Sequence, residues 1–159
     1  MPNKGFTLIE VVIALFIISM GTLAAFSLMQ QALAFTSVSS SRLTAAYLAQ
    51  EGVEITRNLR DNNWLQELAW DQGLTSCGFG CEADYTDITL SSWIEPGQFL
   101  KLDENFLYNY DSGNDTFYKR KITVVAEGLD ILNVSVNVLW EQRGSSHEIT
   151  AETKLYNWR

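Results

Sequence analysis

A gap in the charge pattern constrains this chain more than any other feature. Between Glu10 and Arg42 lie 31 residues, 11 to 41, without one charged side chain. Overlapping that gap, Phe6 to Met29 (FTLIEVVIALFIISMGTLAAFSLM) is 24 residues long, with Glu10 as its single ionisable group. At the rise of an α-helix such a segment reaches roughly 36 Å, enough to cross the hydrocarbon core of a bilayer. Its flanks differ from those of a secretory signal peptide: four residues plus Gly5 precede it, and no small-residue cleavage site closes the apolar run. Lys4 and the initiator amine stand on one side and an acidic remainder on the other. The positive-inside tendency then places the N-terminus in the cytoplasm and the bulk of the chain outside.

The remainder accounts for the whole net charge. Residues 42 to 159 hold 10 Lys and Arg against 18 Asp and Glu, a balance of -8, which is also the balance of the full chain. That sign argues against wrapping a nucleic acid backbone, so no nucleic acid partner is expected. A length of 159 residues allows one ordinary domain with an appendage.

Glu10 is the informative residue of the apolar segment. A carboxylate in a membrane helix costs roughly 2.5–3.5 kcal/mol on insertion scales and commonly marks a function. The next 31 residues contain nothing basic, so its partner must be the headgroup region, another protein, or an amine created nearby. Cleavage between Gly5 and Phe6 would create that amine. Lys4-Gly5-Phe6-Thr7-Leu8-Ile9-Glu10 resembles the processing signal of the type IV pilin superfamily. The resemblance implies a membrane peptidase cutting after Gly5, N-methylation of the new terminus at Phe6, and Glu10 as the fifth mature residue. It also implies assembly in which the Glu10 carboxylate of one subunit pairs with the Phe6 ammonium of its neighbour. Inside an apolar filament core an unpaired charge is heavily penalised, so the chemistry suits the pattern. The chain departs from major pilins in one respect. They commonly carry a Pro at the position of Ser27, whereas here no Pro occurs between Pro2 and Pro96, and within the apolar segment Gly21 is the only strong helix weakener. That shifts the expectation toward minor pilins and type II secretion pseudopilins.

Past Met29 the pattern stays helical. Ala45, Leu48, Gly52, Ile55 and Leu59 follow 3,4 spacing, with Gln50, Glu51, Glu54 and Arg57 elsewhere on the circumference. Arg57 and Arg60 suit a negative helix end, and Asn62-Asn63 are the expected caps. The Ser/Thr cluster Thr36–Ser41 is a candidate loosening. Residues 64 to 97, with Gly73, Gly78, Gly80 and Pro96-Gly97, read as a long loop. Strand candidates follow at Phe106–Tyr110 and Phe117–Val125. In the next run Leu132, Val134, Val136, Val138 and Trp140 face one way, and Asn133, Ser135 and Asn137 the other. After a turn at Arg143–Ser146, a last candidate runs from His147 to Tyr156. The expected fold class is α+β: a long N-terminal helix packed on a small antiparallel sheet, which is also the architecture the resemblance implies.

Cys77-Gly-Phe-Gly-Cys81 holds both cysteines. Outside the cytoplasmic membrane a disulfide between Cys77 and Cys81 is the leading expectation, the two glycines letting so short a loop close. A metal half-site is the second reading, but His147 lies far off in sequence and further ligands are not evident; free thiols are the third. Asp111-Ser-Gly-Asn-Asp115 has oxygen ligands yet lacks the pattern of a calcium loop and reads as a hairpin turn. His147 is expected to be solvated rather than a general base, and the aromatics Tyr85, Trp93, Tyr108, Tyr110, Phe117 and Tyr118 to serve packing and subunit contact. No catalytic triad order, phosphate loop or metalloprotease signature occurs, so no enzyme, cofactor or metal is expected.

The expected organisation is a cleaved leader over 1–5, a transmembrane and assembly helix over 6–29, its amphipathic continuation over 30–63, and an extracytoplasmic domain over 64–159. The expected function is that of a minor pilin. The alternatives are a pseudopilin of a type II secretion or DNA-uptake system and, from another class, a membrane-anchored binding domain that never polymerises. The partners implied are other pilin or pseudopilin subunits, the prepilin peptidase and methyltransferase, the inner-membrane assembly machinery, and membrane lipid before assembly. The location implied is the cytoplasmic membrane, then a surface pilus or periplasmic pseudopilus.

Overall fold

The structure, a computed structural model, describes Gly5 and residues 7–158. Its first element is one helix, α1 (Leu8–Leu65), which continues through Thr36–Ser41 without a break. The hydroxyl of Thr36 explains part of that tolerance: it donates to Ala32 O at 2.9 Å, so it adds no unsatisfied polar group to the helix wall. The chain divides into two compact units, residues 1–40 and 41–159.

In the second unit α1 buries the expected stripe, Ala45, Leu48, Gly52, Ile55 and Leu59, together with Ala49, Thr56 and Arg60. The helix ends later than its Asn pair suggested. Asn63 is no cap; its side chain donates to Trp70 O and Gln72 O and ties down the following loop. The stop is a Schellman motif, with Leu68 N–H donating to Asn63 O (2.9 Å) and Glu67 N–H to Trp64 O (3.2 Å). Glu67 occupies the left-handed position at φ 58°, where glycine is the usual signal, so the sequence hid this end. Arg57 and Arg60 consequently lie short of the last turn. Arg57 pairs with Glu54, while Arg60 pairs with Asp61 and stacks over Trp64.

Residues 64 to 97 hold more than loop: a 3-10 turn (Thr75–Cys77), β1 (Cys81–Glu82) and β2 (Ser91–Ser92). Next come β3 (Lys101–Leu102), β4 (Tyr108–Asn109) and β5 (Asn114–Asp115), which form a small separate sheet ordered β4-β3-β5. The Phe106–Tyr110 candidate thus shrinks to two paired residues. Its partner runs are equally short, and two-residue strands leave no period to read. The large strands β6 (Tyr118–Ala126), β7 (Ile131–Gln142) and β8 (Ser145–Tyr156) agree with the sequence reading, and with β1 and β2 they make an antiparallel sheet ordered β2-β1-β6-β7-β8. The β7–β8 turn is only Arg143-Gly144, both at positive φ as a tight primed turn requires, so Ser145 and Ser146 belong to the strand.

Alternation along β6 turns Tyr118, Arg120, Ile122 and Val124 inward. Arg120 is fully buried in the core, and its guanidinium serves three acceptors: Leu48 O (3.1 Å) and the Glu51 carboxylate (2.9 Å) on α1, and Ala83 O (2.7 Å) just after β1. Gly52 makes the contact close, since a Cβ there would meet Val136 Cγ1 at 2.7 Å and Arg120 Cδ at 3.1 Å. Tyr118 adds a second tie, its hydroxyl donating to Ser41 O at 3.1 Å.

Two buried carboxylates flank this joint. Asp84 accepts from Thr86 Oγ1, Thr86 N–H and Tyr110 N–H. Burial alone would raise its carboxyl, but those bonds and the Arg120 charge outweigh burial and hold it below the usual carboxylate range. Glu82 is shifted the opposite way. Burial pushes its carboxyl up, against the Gln98 N–H and the Lys119 charge.

Arg120→Met should cost about 3 kcal/mol, because Leu48 O and Ala83 O lose their donor in a closed interior; thermal unfolding of the full chain in detergent measures it. Glu51→Gln, whose side chain is one-third exposed, should cost clearly less. A depressed folded-state pKa means that Asp84 stabilises fully above its unfolded value near pH 4 and loses that contribution as pH falls further. Asp84→Asn should therefore lower stability at neutral pH and flatten the acid limb of the stability curve. An unchanged acid limb would assign acid unfolding to other groups.

Candidate processing and assembly segment

The first unit begins its helix with a device that the sequence spells out in Thr7 and Glu10, although the apolar pattern does not announce it. Thr7 is the N-cap of α1, its Oγ1 accepting the Glu10 N–H at 3.3 Å, while its carbonyl accepts from Glu10 and Val11. Thr-x-x-Glu is the capping-box spacing, so Glu10 lies in the first helical turn. There the helix's positive end favours a carboxylate even in apolar surroundings. Gly5 is exposed, and a Cβ built on it meets nothing within 4 Å. The three roles expected of Phe6, as mature terminus, methylation site and half of an assembly pair, lie outside the described residues.

Every residue from Leu8 to Leu33 is exposed, and the large side chains are apolar around the whole circumference. Leu8, Phe16, Leu23 and Phe26 are 60–83% open. A helix apolar on all sides needs an apolar environment, either lipid or other helices. Ser19 and Thr22 fit that demand by donating to Phe16 O and Ile18 O, both at 2.8 Å. Glu10 remains the one ionisable group between Lys4 and Arg42. By length and composition α1 is long and apolar enough to cross a membrane once, a single-pass anchor near the N-terminus.

The remaining singled-out residues belong to the second unit. Cys77 and Cys81 are joined by a disulfide with Cα atoms 5.3 Å apart, both buried, leaving Phe79 at the loop's apex almost wholly exposed. In the Asp111–Asp115 segment, Asn109 Oδ1 accepts from Asp111 N–H and Ser112 N–H, and Gly113 stands at φ 116° with Leu102 O where a Cβ would be. That is the construction of a turn. His147 is not solvated as expected: it is half-buried and stacks on Trp140 with ring centroids 5.2 Å apart. Tyr118 sits in the core against Tyr108, Phe117 and Trp140, whereas Tyr85 and Phe117 are about half open.

Residues 1–26 match the family described as the prokaryotic N-terminal methylation motif. Among curated proteins and among solved structures, none matches the chain. The matched span contains Gly5, Phe6, Thr7 and Glu10, and the chain carries the N-terminal methylation motif of type IV pilin-like prepilins.

Proposed function

We propose that this chain is a minor subunit of a type IV pilus, made as a membrane precursor and assembled through its N-terminal helix. The observation that supports it is the coincidence of the methylation motif with an all-round apolar helix whose one carboxylate lies in the first turn. The proposed organisation is a leader over 1–5, an assembly segment from Phe6 to Met29, and an extracytoplasmic body that contains the sheet. A prepilin peptidase cuts the Gly5–Phe6 bond, and a methyltransferase acts on the Phe6 amine. The chain is thus a substrate of that chemistry and a structural subunit, not its catalyst. Before assembly the helix rests in the cytoplasmic membrane with its N-terminus inside. Within the filament the Glu10 carboxylate of one subunit meets the Phe6 ammonium of the next, each removing the other's cost in apolar surroundings. The second reading, a pseudopilin of a type II secretion or DNA-uptake system, draws on the absence of Pro from the apolar segment.

Gly5→Ala should leave the precursor folded, since the added methyl meets no neighbour, yet block processing. Mass spectrometry of membrane fractions should find the intact chain in the variant and a chain starting at Phe6 in the parent. Equal cleavage of both would remove the peptidase assignment.

Glu10→Gln should insert into the membrane at least as well as the parent, because a lone carboxylate opposes insertion. In assembly it strands the Phe6 ammonium, and breaking a buried pair costs roughly 3–5 kcal/mol. Processed variant should accumulate in the membrane and be depleted from sheared filaments, as read by quantitative immunoblot. Parent-like incorporation would overturn the charge-pairing role and leave the processing assignment intact.

A further inference from the structure

The main sheet ends differently on its two sides. Beside β1 the edge strand β2 has only two residues, and the chain then crosses the outer face of β6 as a strap. Trp93 N–H donates to Gly80 O, Lys121 lies over the Trp93 ring, and Lys119 donates to Pro96 O while covering Phe99. On the other side β8 presents twelve residues. Its pairing with β7 runs from Ile131↔Tyr156 to Gln142↔Ser145 without a bulge, and β8 contains neither Gly nor Pro. Among the described residues, β7 is the only strand paired with β8, and no loop hydrogen-bonds to its backbone.

Folded proteins blunt long edges with short strands, bulges, proline or a covering segment, because an open row of N–H and C=O groups recruits other strands. This fold blunts one edge and leaves the other long and free of bulges. The core-facing side of β8 is also unfinished. Val134, Val136 and Val138 of β7 are at most 1% exposed, whereas Ile149, Ala151 and Thr153 of β8 are only half-buried.

We infer that β8 is a docking edge that takes an extended strand from another protein chain, which joins the sheet beyond β8. The unpaired backbone row selects an extended peptide over a helix, a lipid or a small molecule, since only a strand answers each donor and acceptor in turn. The side chains define its chemistry. The outer row reads Glu148, Thr150, Glu152, Lys154, and its one cation is already paired with Glu127 at 2.6 Å. The incoming strand therefore carries basic residues four apart opposite Glu148 and Glu152, with β-branched or apolar residues on the face that closes over Ile149 and Ala151. A second copy of β8 offers no such basic pair. This docking edge is independent of the assembly reading, because it rests on the sheet alone.

The test uses the full chain in detergent and a nine-residue peptide of alternating Val and Thr with lysines at the third and seventh positions. A matching peptide with glutamates in those places is the control. The lysine peptide should bind, with amide exchange slowed selectively over residues 145–156. Glu148→Lys/Glu152→Lys should weaken it about tenfold and bring the glutamate peptide to comparable affinity. Four results would overturn the proposal: no binding at millimolar peptide, protection outside β8, indifference to both charge exchanges, or self-association that protects β8 without peptide.

Discussion

The second unit depends on how one cation is housed. Position 120 points inward because strand alternation along β6 leaves no choice: Tyr118, Ile122 and Val124 share its face. An arginine in that place brings a charge into the contact between α1 and the sheet, at a desolvation cost that only good geometry offsets. The geometry is supplied from three directions, by a helix carbonyl, a helix carboxylate and the carbonyl of Ala83. Lysine could not answer them, since its ammonium is a point charge without a planar fork of donors. The same contact fixes register. A slip of one residue would drive Lys119 or Lys121 into the core and expel three apolar partners.

Around that joint the chain separates its physical burdens. Charged groups other than Lys4 and Glu10 belong to residues 42–159, where water or a specific partner compensates them. The apolar segment bonds the hydroxyls of Thr7, Ser19 and Thr22 to its own backbone and retains a single carboxylate, set in the first turn by the Thr7 cap. Such a segment is indifferent to whether lipid or another helix surrounds it, provided that one charge is compensated. The match to the methylation motif, residues 1–26, spans that charge.

Much of this was legible in the sequence. The span, its carboxylate and the methylation motif are local patterns, readable without tertiary structure. The stripe Ala45–Leu59 and the three long strands carry strong periods of 3.6 and 2 and lie where those periods place them. The misreadings have equally physical causes. The helix passed Asn62-Asn63 because Glu67, not glycine, takes the left-handed position of its stop. The strands β1, β2, β3 and β5 went unseen, and β4 was drawn too long, because two paired residues have no period. His147 was expected in solvent because nothing in its neighbourhood in sequence announces Trp140, seven residues upstream across a tight hairpin.

Sequence by itself determined the apolar segment, its lone carboxylate, the methylation motif and the α+β class, since each follows from composition, spacing or periodicity along a short run of chain. Only the tertiary structure decided that Arg120 is a core residue, that Asp84 and Glu82 are buried with opposite shifts, and that β8 is left with an open edge. Those depend on which segments meet: a charge is affordable inside only where distant carbonyls converge on it, and an edge is open only when no other strand arrives. Neither condition is written in the neighbours along the chain.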